Sequence, residues 1–470
     1  SFFILFSLTI VLPYSLLCPA KEDNIHMSNT TTLYKEQNRI FQEMTPLKLF
    51  LRCALPNMIS MAVVSLYTIA DGVFVGHYIG AEALAAINLV MPLIMMSFAL
   101  SDMVAVGSSV QIAIWLGKGD EKMAGSIFSS SCLLILLSAV VMGAAAYAFA
   151  WPLVRFLGAS GEVAVLAVRY MRVYAAFSIF IMHFFAVDNY LRICGKVHYS
   201  MAMNVGMSLA NIFLDWIFIG IMGWGIEAAA LASCLSLMAG NLICFYPFFR
   251  GKLLLRFTKK LIPLKMTGNI IANGSSEFFN NISGSVCMMI FNAALLSFGG
   301  YLAVAAFSII MYVDSVVKAL MFGMADSLQP AISYNFGAGN PSRVRAIERI
   351  GQAAAFLLSL AVFLLMQTLG ETLISLFSSE NADLMAMSIH GMRIFAFSYL
   401  FSWCSILSGS FFTALNRPVF SLITASCNTF IFPVVFLLLL SGLLELDGIW
   451  LSSPAASATA FLLALIFLKN

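Results

Sequence analysis

The chain has 470 residues, of which 61% are hydrophobic and only 10% charged, with a mean hydropathy of +0.95 and a formal net charge of +3. Soluble domains carry about 25% charged residues, so the composition is that of an integral membrane protein, and so small a positive balance does not suggest a nucleic-acid partner. The nine Cys are scattered, without a C-x-x-C or a His pair at i, i+4, which gives no sign of a zinc site or a disulfide frame.

Residues 1–20 have the length and apolar middle of a signal peptide but no initiating Met and no charged first segment. Met27 is the more natural start, so 1–26 reads as an upstream extension and 1–44 as that extension plus a polar tail. A bilayer core of about 30 Å needs about 20 apolar residues per helix. Such windows fall at 47–70, 83–112, 124–148, 168–190, 199–221 and 226–249, and again at 267–296, 302–332, 347–369, 386–411, 418–441 and 447–468. The last window stops at Asn470, which suggests a truncated end.

Lys and Arg in short loops set orientation. With the N-terminus in the cytoplasm, nineteen fall in inside segments, six of them in the 250–265 connection, against four outside (Arg155, Arg169, Arg172 and Arg393). Both ends are therefore expected inside, which requires an even number of spans. A multi-pass protein of the cytoplasmic membrane is implied.

Shifted by 220 residues, Gly80–Asp120 aligns without a gap on Gly300–Asn340, with eleven of forty-one positions identical. Gly80/Gly300, Gly117/Gly337 and Gly119/Gly339 fall at loops in register, and MRVYAAF from Met171 matches MRIFAFS from Met392 at a shift of 221. The expected architecture is all-α: two six-helix lobes, 45–249 and 266–470, in a parallel repeat joined by the 250–265 linker. Such duplications place a substrate path between the halves, with alternating access by rocking. No G-x-x-x-x-G-K-[ST] is present to bind ATP.

Acids inside spans cost about 2.5–3.5 kcal/mol each on insertion scales and usually face a cavity with a partner. Asp71, Asp102, Asp188, Asp215, Glu227, Glu277, Asp314 and Asp326 lie within or near spans, whereas Lys318 is the one base deep in a span. That surplus suits a proton, Na⁺ or an organic cation. Asp314 and Lys318, at i, i+4, either neutralise each other or serve transport. Asp188 is expected to pair with Arg192 near the inner surface, and Glu227 to be solvated. Asp102 and Asp326, near the inner interface, stay undecided. Asp215 has no base within two turns and has Asn211 one turn before it, an arrangement able to exchange a proton or coordinate Na⁺. Glu277, in NGSSEFFNNISGS, belongs to a polar stripe that either lines a cavity or bonds neighbouring helices.

D-G-x-F-V-G-H-x-x-G-x-x-A-L-A-A from Asp71, L-G-K-G-D from Leu116, N-x-x-L-D from Asn211, Q-P-x-x-S-Y-N-F-G-A-G-N from Gln329 and L-N-R-P from Leu415 resemble the multidrug and toxic compound extrusion (MATE) transporters. The fit is to their bacterial MepA-like branch and covers about Thr45 to the end. The resemblance implies a V-shaped pair of lobes that exports cationic amphiphiles in exchange for H⁺ or Na⁺. It also implies a cation site at Asp71, Asn211 and Asp215, with Ser233 in place of a sixth-helix Thr and Pro56 at a first-helix proline that bends. Asp71 and Asp215 would be the metal ligands if Na⁺ is the coupling ion. Lys318 and Asp326 depart from the pattern and leave the substrate preference open.

The expected protein is thus a secondary antiporter, neither an enzyme nor a cofactor binder, acting as a monomer in the lipid bilayer on small organic cations. Glu277, Asp314, Lys318 and cavity aromatics would meet the substrate. The alternative is a lipid-linked oligosaccharide flippase of the same superfamily, which would place several bases against a pyrophosphate. A membrane-embedded enzyme lacks support, since H-E-x-x-H and G-x-S-x-G are both missing. In YTIADGVFVGHYIG (67–80) the spacing of Gly72, Gly76 and Gly80 points to close packing and a turn.

Overall fold

The computed structural model describes residues 37, 39–375 and 382–469. Residues 1–26 and Asn470, for which an upstream extension and a truncated end are expected, lie outside the described residues. Helix α1 (Pro46–Ile79) starts with Pro46, whose missing N–H is no loss in a first turn. It runs through Pro56 and closes in a π-helical turn, Val75–Ile79. Gly80, at φ 118°, turns the chain into α2 (Ala81–Gly117). Asp120 caps α3 (Glu121–Ala148) by accepting from Met123 N at 2.9 Å. A short helix, Ala150–Phe156, leads to α4 (Gly161–Ile193), followed by α5 (Val197–Ile221) and α6 (Ile226–Phe249).

The helical run Leu264–Gly337 breaks at Gly300, giving α7 (264–299) and α8 (301–337). Then come α9 (Pro341–Ser375) and α10 (Ala382–Ala414). The run Pro418–Lys469 breaks at Glu445 into α11 (418–444) and α12 (446–469). Ten apolar helical runs, two of them broken once, make twelve spans among the described residues. Several outrun their apolar windows. At 37 residues α2 is about 55 Å long against a core of about 30 Å, so its ends stand in the headgroup layer. Helix α1 likewise continues two turns beyond Asp71, which sits inside the helix and not at its end.

The duplication extends to the turns. Left-handed backbone occurs at Gly80, Gly119, Gly195 and Gly223, and again at Gly300, Gly339, Asn416 and Glu445, at shifts of 220, 220, 221 and 222. Asn tolerates that conformation better than most side chains, whereas Glu does not. Close packing falls elsewhere than at Gly72, since a Cβ there would meet open space. Gly76 faces Leu84 and Gly80 makes the turn.

Helices α1–α6 pack around one apolar core, which also takes in side chains of α7–α10 such as Ile270, Tyr334, Ile347 and Ala414, and α7–α12 surround another. The linker folds back on α3, where Thr258 N and Ile262 N donate to Ser129 Oγ (2.7 Å) and Ser130 Oγ (3.1 Å). The bundles are joined at the end that carries this linker. There a Cβ on Gly107 would collide with the Ile270 carbonyl, and one on Gly274 with the Met103 carbonyl. Asn57 Nδ2 donates to Gly323 O at 2.7 Å, and Gln111 Nε2 to Asn416 Oδ1 at 2.8 Å. The segment before α1 straps both bundles: Gln37 Nε2 donates to Ile193 O at 2.8 Å, while Phe41 O accepts from Arg343 Nε at 2.6 Å and Asn335 Nδ2 at 3.0 Å. The eight described Cys among the nine are free thiols.

Candidate functional site

In the first bundle, α1, α5 and α6 bring Asp71, Asn211, Asp215 and Ser233 together. Asn211 and Asp215 share a face of α5 at i, i+4, and Asp71 comes from the neighbouring α1. The Asp71 and Asp215 carboxyl groups lie within hydrogen-bonding reach of each other. All four side chains are buried, Asp215 completely. With its nitrogen turned toward the acid, the Asn211 amide donates to Asp215 Oδ2 at 3.2 Å. Its oxygen then accepts from Ser233 Oγ at 3.0 Å and Ser233 N at 3.2 Å. The opposite orientation keeps only the donation to Ser233 Oγ at 3.0 Å.

One oxygen of each acid, Asp71 Oδ1 and Asp215 Oδ1, is buried without a hydrogen-bond partner. Among the described residues neither acid forms an ion pair with Lys or Arg. Two carboxyl groups this close are stable when they share a proton or flank a cation, because two bare charges would repel across a dry interior. The donor set of carboxylate, amide and hydroxyl oxygens suits a proton or a hard cation such as Na⁺. No group of three or more His, Cys, Asp and Glu is arranged for a metal among the described residues.

Tyr67, Tyr170 and Tyr174 lie close enough for the Asp71 charge to act on all three side chains. Sequence reasoning missed them. The available signals were Tyr67 one turn before Asp71 and the i, i+4 pair on α4, whose hydroxyls are 3.5 Å apart. Tyr174 also lines an apolar pocket of about 330 Å³ between α2, α3 and α4. Pro56 lies apart from the acids, about 22 Å along α1 from Asp71 by helical rise, next to Asn57 at the junction with α8.

In the second bundle, Glu277 and Asp326 line a cleft of about 40 Å³ with Phe322, Asn280, Ser410 and Asn428. The polar stripe of α7 does both things its pattern allowed. Glu277 faces the cleft, whereas Asn273 Nδ2 donates to Thr413 O at 3.1 Å and Asn280 Oδ1 accepts from Thr429 Oγ1 at 2.5 Å. Asp102 accepts from Asn281 Nδ2 at 3.3 Å across the bundles, and Asp326 from Gln329 Nε2 at 3.4 Å. Asp102, Asp326 and Glu277 lie within electrostatic reach of one another, as Arg192 does of the first two.

Asp314 does not stand on the cleft surface. Its Oδ2 is 2.7 Å from Lys318 Nζ and its Oδ1 accepts from Tyr399 OH at 3.1 Å, so both oxygens are engaged behind the lysine. Asp188 and Arg192 do pair, at 2.8 Å, in the last turns of α4, where both side chains are buried within the protein; Ser200 Oγ and Asn204 Nδ2 complete the acid. Glu227 is half-exposed, as its place beside a loop suggests, and meets Arg169 at 3.3 Å.

The MatE family model matches the chain twice, over residues 56–217 and 278–439, two segments offset by 222. Multidrug export protein MepA of Staphylococcus haemolyticus is 24% identical over 431 residues, covering 91% of this chain and 94% of that one. MepA of Staphylococcus aureus (strain NCTC 8325 / PS 47) is 25% identical over 439 residues, covering 92% and 95%. Among solved structures, a MATE protein in complex with MaL6 superimposes with a TM-score of 0.88 at 25% identity, covering 93% of this chain and 98% of that one. An outward-facing multidrug resistance MATE transporter of the MOP superfamily gives 0.85 at 26% identity, covering 91% and 96%.

Proposed function

The chain belongs to the MatE family of multidrug efflux transporters, and from that premise we propose that it is a secondary antiporter exporting cationic amphiphiles in exchange for H⁺ or Na⁺. The observation that carries the reading is the buried Asp71–Asp215 contact with one unpartnered oxygen on each acid. Asp71 and Asp215 take the coupling cation, Asn211 and Ser233 supply the neutral oxygens around it, and the tyrosines exclude water.

The excess of Lys and Arg in the linker and the loops at its end assigns that end to the cytoplasm of a cytoplasmic-membrane protein with both termini inside. The joins at Gly107, Gly274 and Asn57 then close the cytoplasmic side, and the cleft between lobes 45–249 and 266–470 opens outward. A cation entering from outside reaches the acid pair, and Glu277 gives up the organic cation. Helix α1 carries both Asp71 and, beside Pro56, the Asn57 clamp on Gly323. A bend at Pro56 would therefore release the cytoplasmic closure when the acid site fills. No second copy and no nucleic acid is needed for this cycle, which runs in a monomer within the bilayer.

The flippase alternative would need several bases against a pyrophosphate, and Lys318 is a single ammonium already engaged with Asp314. Uptake of ethidium into everted vesicles tests the reading. Either a pH gradient or a Na⁺ gradient should drive it, and which one works identifies the coupling ion. Asp71→Asn should cut the rate to about a tenth or less, since hydrogen bonds to a charged group are worth about 1.5–3 kcal/mol. Full-rate transport by Asp71→Asn under either gradient would contradict the mechanism.

A further inference from the structure

The linker 250–265 carries six bases and no acid. Its apolar part faces inward: Leu253, Leu254 and Leu255 are buried, and Phe257 packs on Phe128 and Phe249 with ring centroids 4.8 and 5.4 Å apart. Thr258 N and Ile262 N are fixed on α3 by Ser129 Oγ and Ser130 Oγ. At 28 residues α3 is about 42 Å long, the full thickness of a bilayer with its headgroups. Ser129 and Ser130 stand about 12–14 Å in from its first residue by helical rise, so the linker is drawn up to the depth of the bilayer and does not hang below it. It presents Lys259, Lys260 and Lys265, all exposed, interleaved with Leu261 and Leu264 at 62% and 86% exposure. Among the described residues none of these three lysines forms an ion pair.

We propose that Lys259, Lys260, Lys265, Leu261 and Leu264 form a docking site for anionic phospholipids of the leaflet on the linker side, the leucines entering the acyl boundary and the ammonium groups meeting phosphate diesters. Lysines interleaved with large apolar side chains suit a membrane interface, where lysine stems lie along apolar surface and their heads reach the phosphates. Water alone would hydrate the lysines but leave both leucines unburied. Anionic headgroups complement a segment that has no acid of its own, and each base near a charged leaflet contributes about fivefold in affinity. The site ties the segment that joins the two bundles to the membrane. It is independent of export, so its test does not turn on which ion or compound is carried.

Native mass spectrometry of the full chain in detergent, titrated with phosphatidylglycerol or with phosphatidylcholine of the same acyl chains, tests it. The unaltered chain should prefer phosphatidylglycerol by about tenfold or more, as three bases near a charged headgroup allow. Lys259→Gln, Lys260→Gln and Lys265→Gln together should abolish the preference and leave phosphatidylcholine binding as it was, whereas Arg at all three positions should keep it. Leu261→Ser with Leu264→Ser should weaken both lipids alike. These positions are exposed, so the buried anchor at Leu253–Leu255 is left intact. A second measurement needs no variant: raising salt from about 0.1 to about 1 M shortens the Debye length from about 10 to about 3 Å and should erase the preference of the unaltered chain. Equal affinity for the two lipids, no binding of phosphatidylglycerol, a preference that survives the Gln variant or high salt, or unchanged binding by the Ser variant would overturn the assignment.

Discussion

Gly117 and Gly337, equivalent positions of the two repeats, mark one reciprocal crossing of α2 and α8. A Cβ on Gly117 would collide with the Tyr334 carbonyl and one on Gly337 with the Ile114 carbonyl, and Ile114 and Tyr334 are themselves related by the 220-residue shift. Contacts that repeat with the partners exchanged occur on a twofold axis, so this crossing lies on the axis relating the bundles.

Gly117→Ala should therefore act on the conformational equilibrium before it acts on folding. An added methyl between two backbones costs about 1–3 kcal/mol, and that cost falls only on the state in which α2 and α8 touch. Pulsed electron–electron distances between spin labels at the ends of α2 and α8 should lengthen in the variant. An unchanged distance distribution would mean that the crossing does not limit opening.

Ser233 supplies the hydroxyl facing the Asn211 amide. Ser233→Ala should weaken binding of the coupling ion about tenfold, because a buried polar group left unmatched costs about 1–3 kcal/mol. Ser233→Thr, which keeps the hydroxyl, should stay close to the unaltered chain. The concentration of Na⁺ or H⁺ giving half-maximal ethidium transport reads both.

Arg192 is buried against Asp188 and within reach of Asp102 and Asp326. Arg192→Ala should destabilise the protein by about 3–5 kcal/mol, the usual cost of stranding a buried partner. Asp188→Asn should do less harm, because Ser200 and Asn204 still bond the remaining amide. Thermal unfolding in detergent should show the two variants in that order.

Glu445 turns α11 into α12 at φ 51°, where its equivalent in the first repeat is Gly223 at φ 65°. A non-glycine residue held there costs about 1–3 kcal/mol, partly offset by the greater chain entropy that glycine brings to the unfolded state. Glu445→Gly should raise the unfolding midpoint, and a fall would show that Glu445 makes a compensating contact.

Much of this was legible from local chemistry. Apolar windows located the spans because a bilayer demands about 20 such residues whatever their neighbours do. The glycine register exposed the duplication because turns with positive φ select their residues locally. Helix ends were less legible, since the last turns of α1 and α2 leave the hydrocarbon and lose its apolar signature. The pairs Asp188–Arg192 and Asp314–Lys318 could be read because i, i+4 spacing alone brings them together. Their depth could not, because burial depends on which helices cover that face.

The sequence by itself determined that the chain carries twelve apolar windows long enough to cross a membrane, in two related halves with an excess of acid within or near them. Hydropathy, turn preference and charge are properties of short segments. Only the tertiary structure decided that Asp71 meets Asp215, that Tyr67, Tyr170 and Tyr174 come within electrostatic reach of Asp71, and that Asp314 is buried beneath Lys318. Those relations join helices remote in sequence, and proximity between helices is set by how their faces pack, which no single segment encodes.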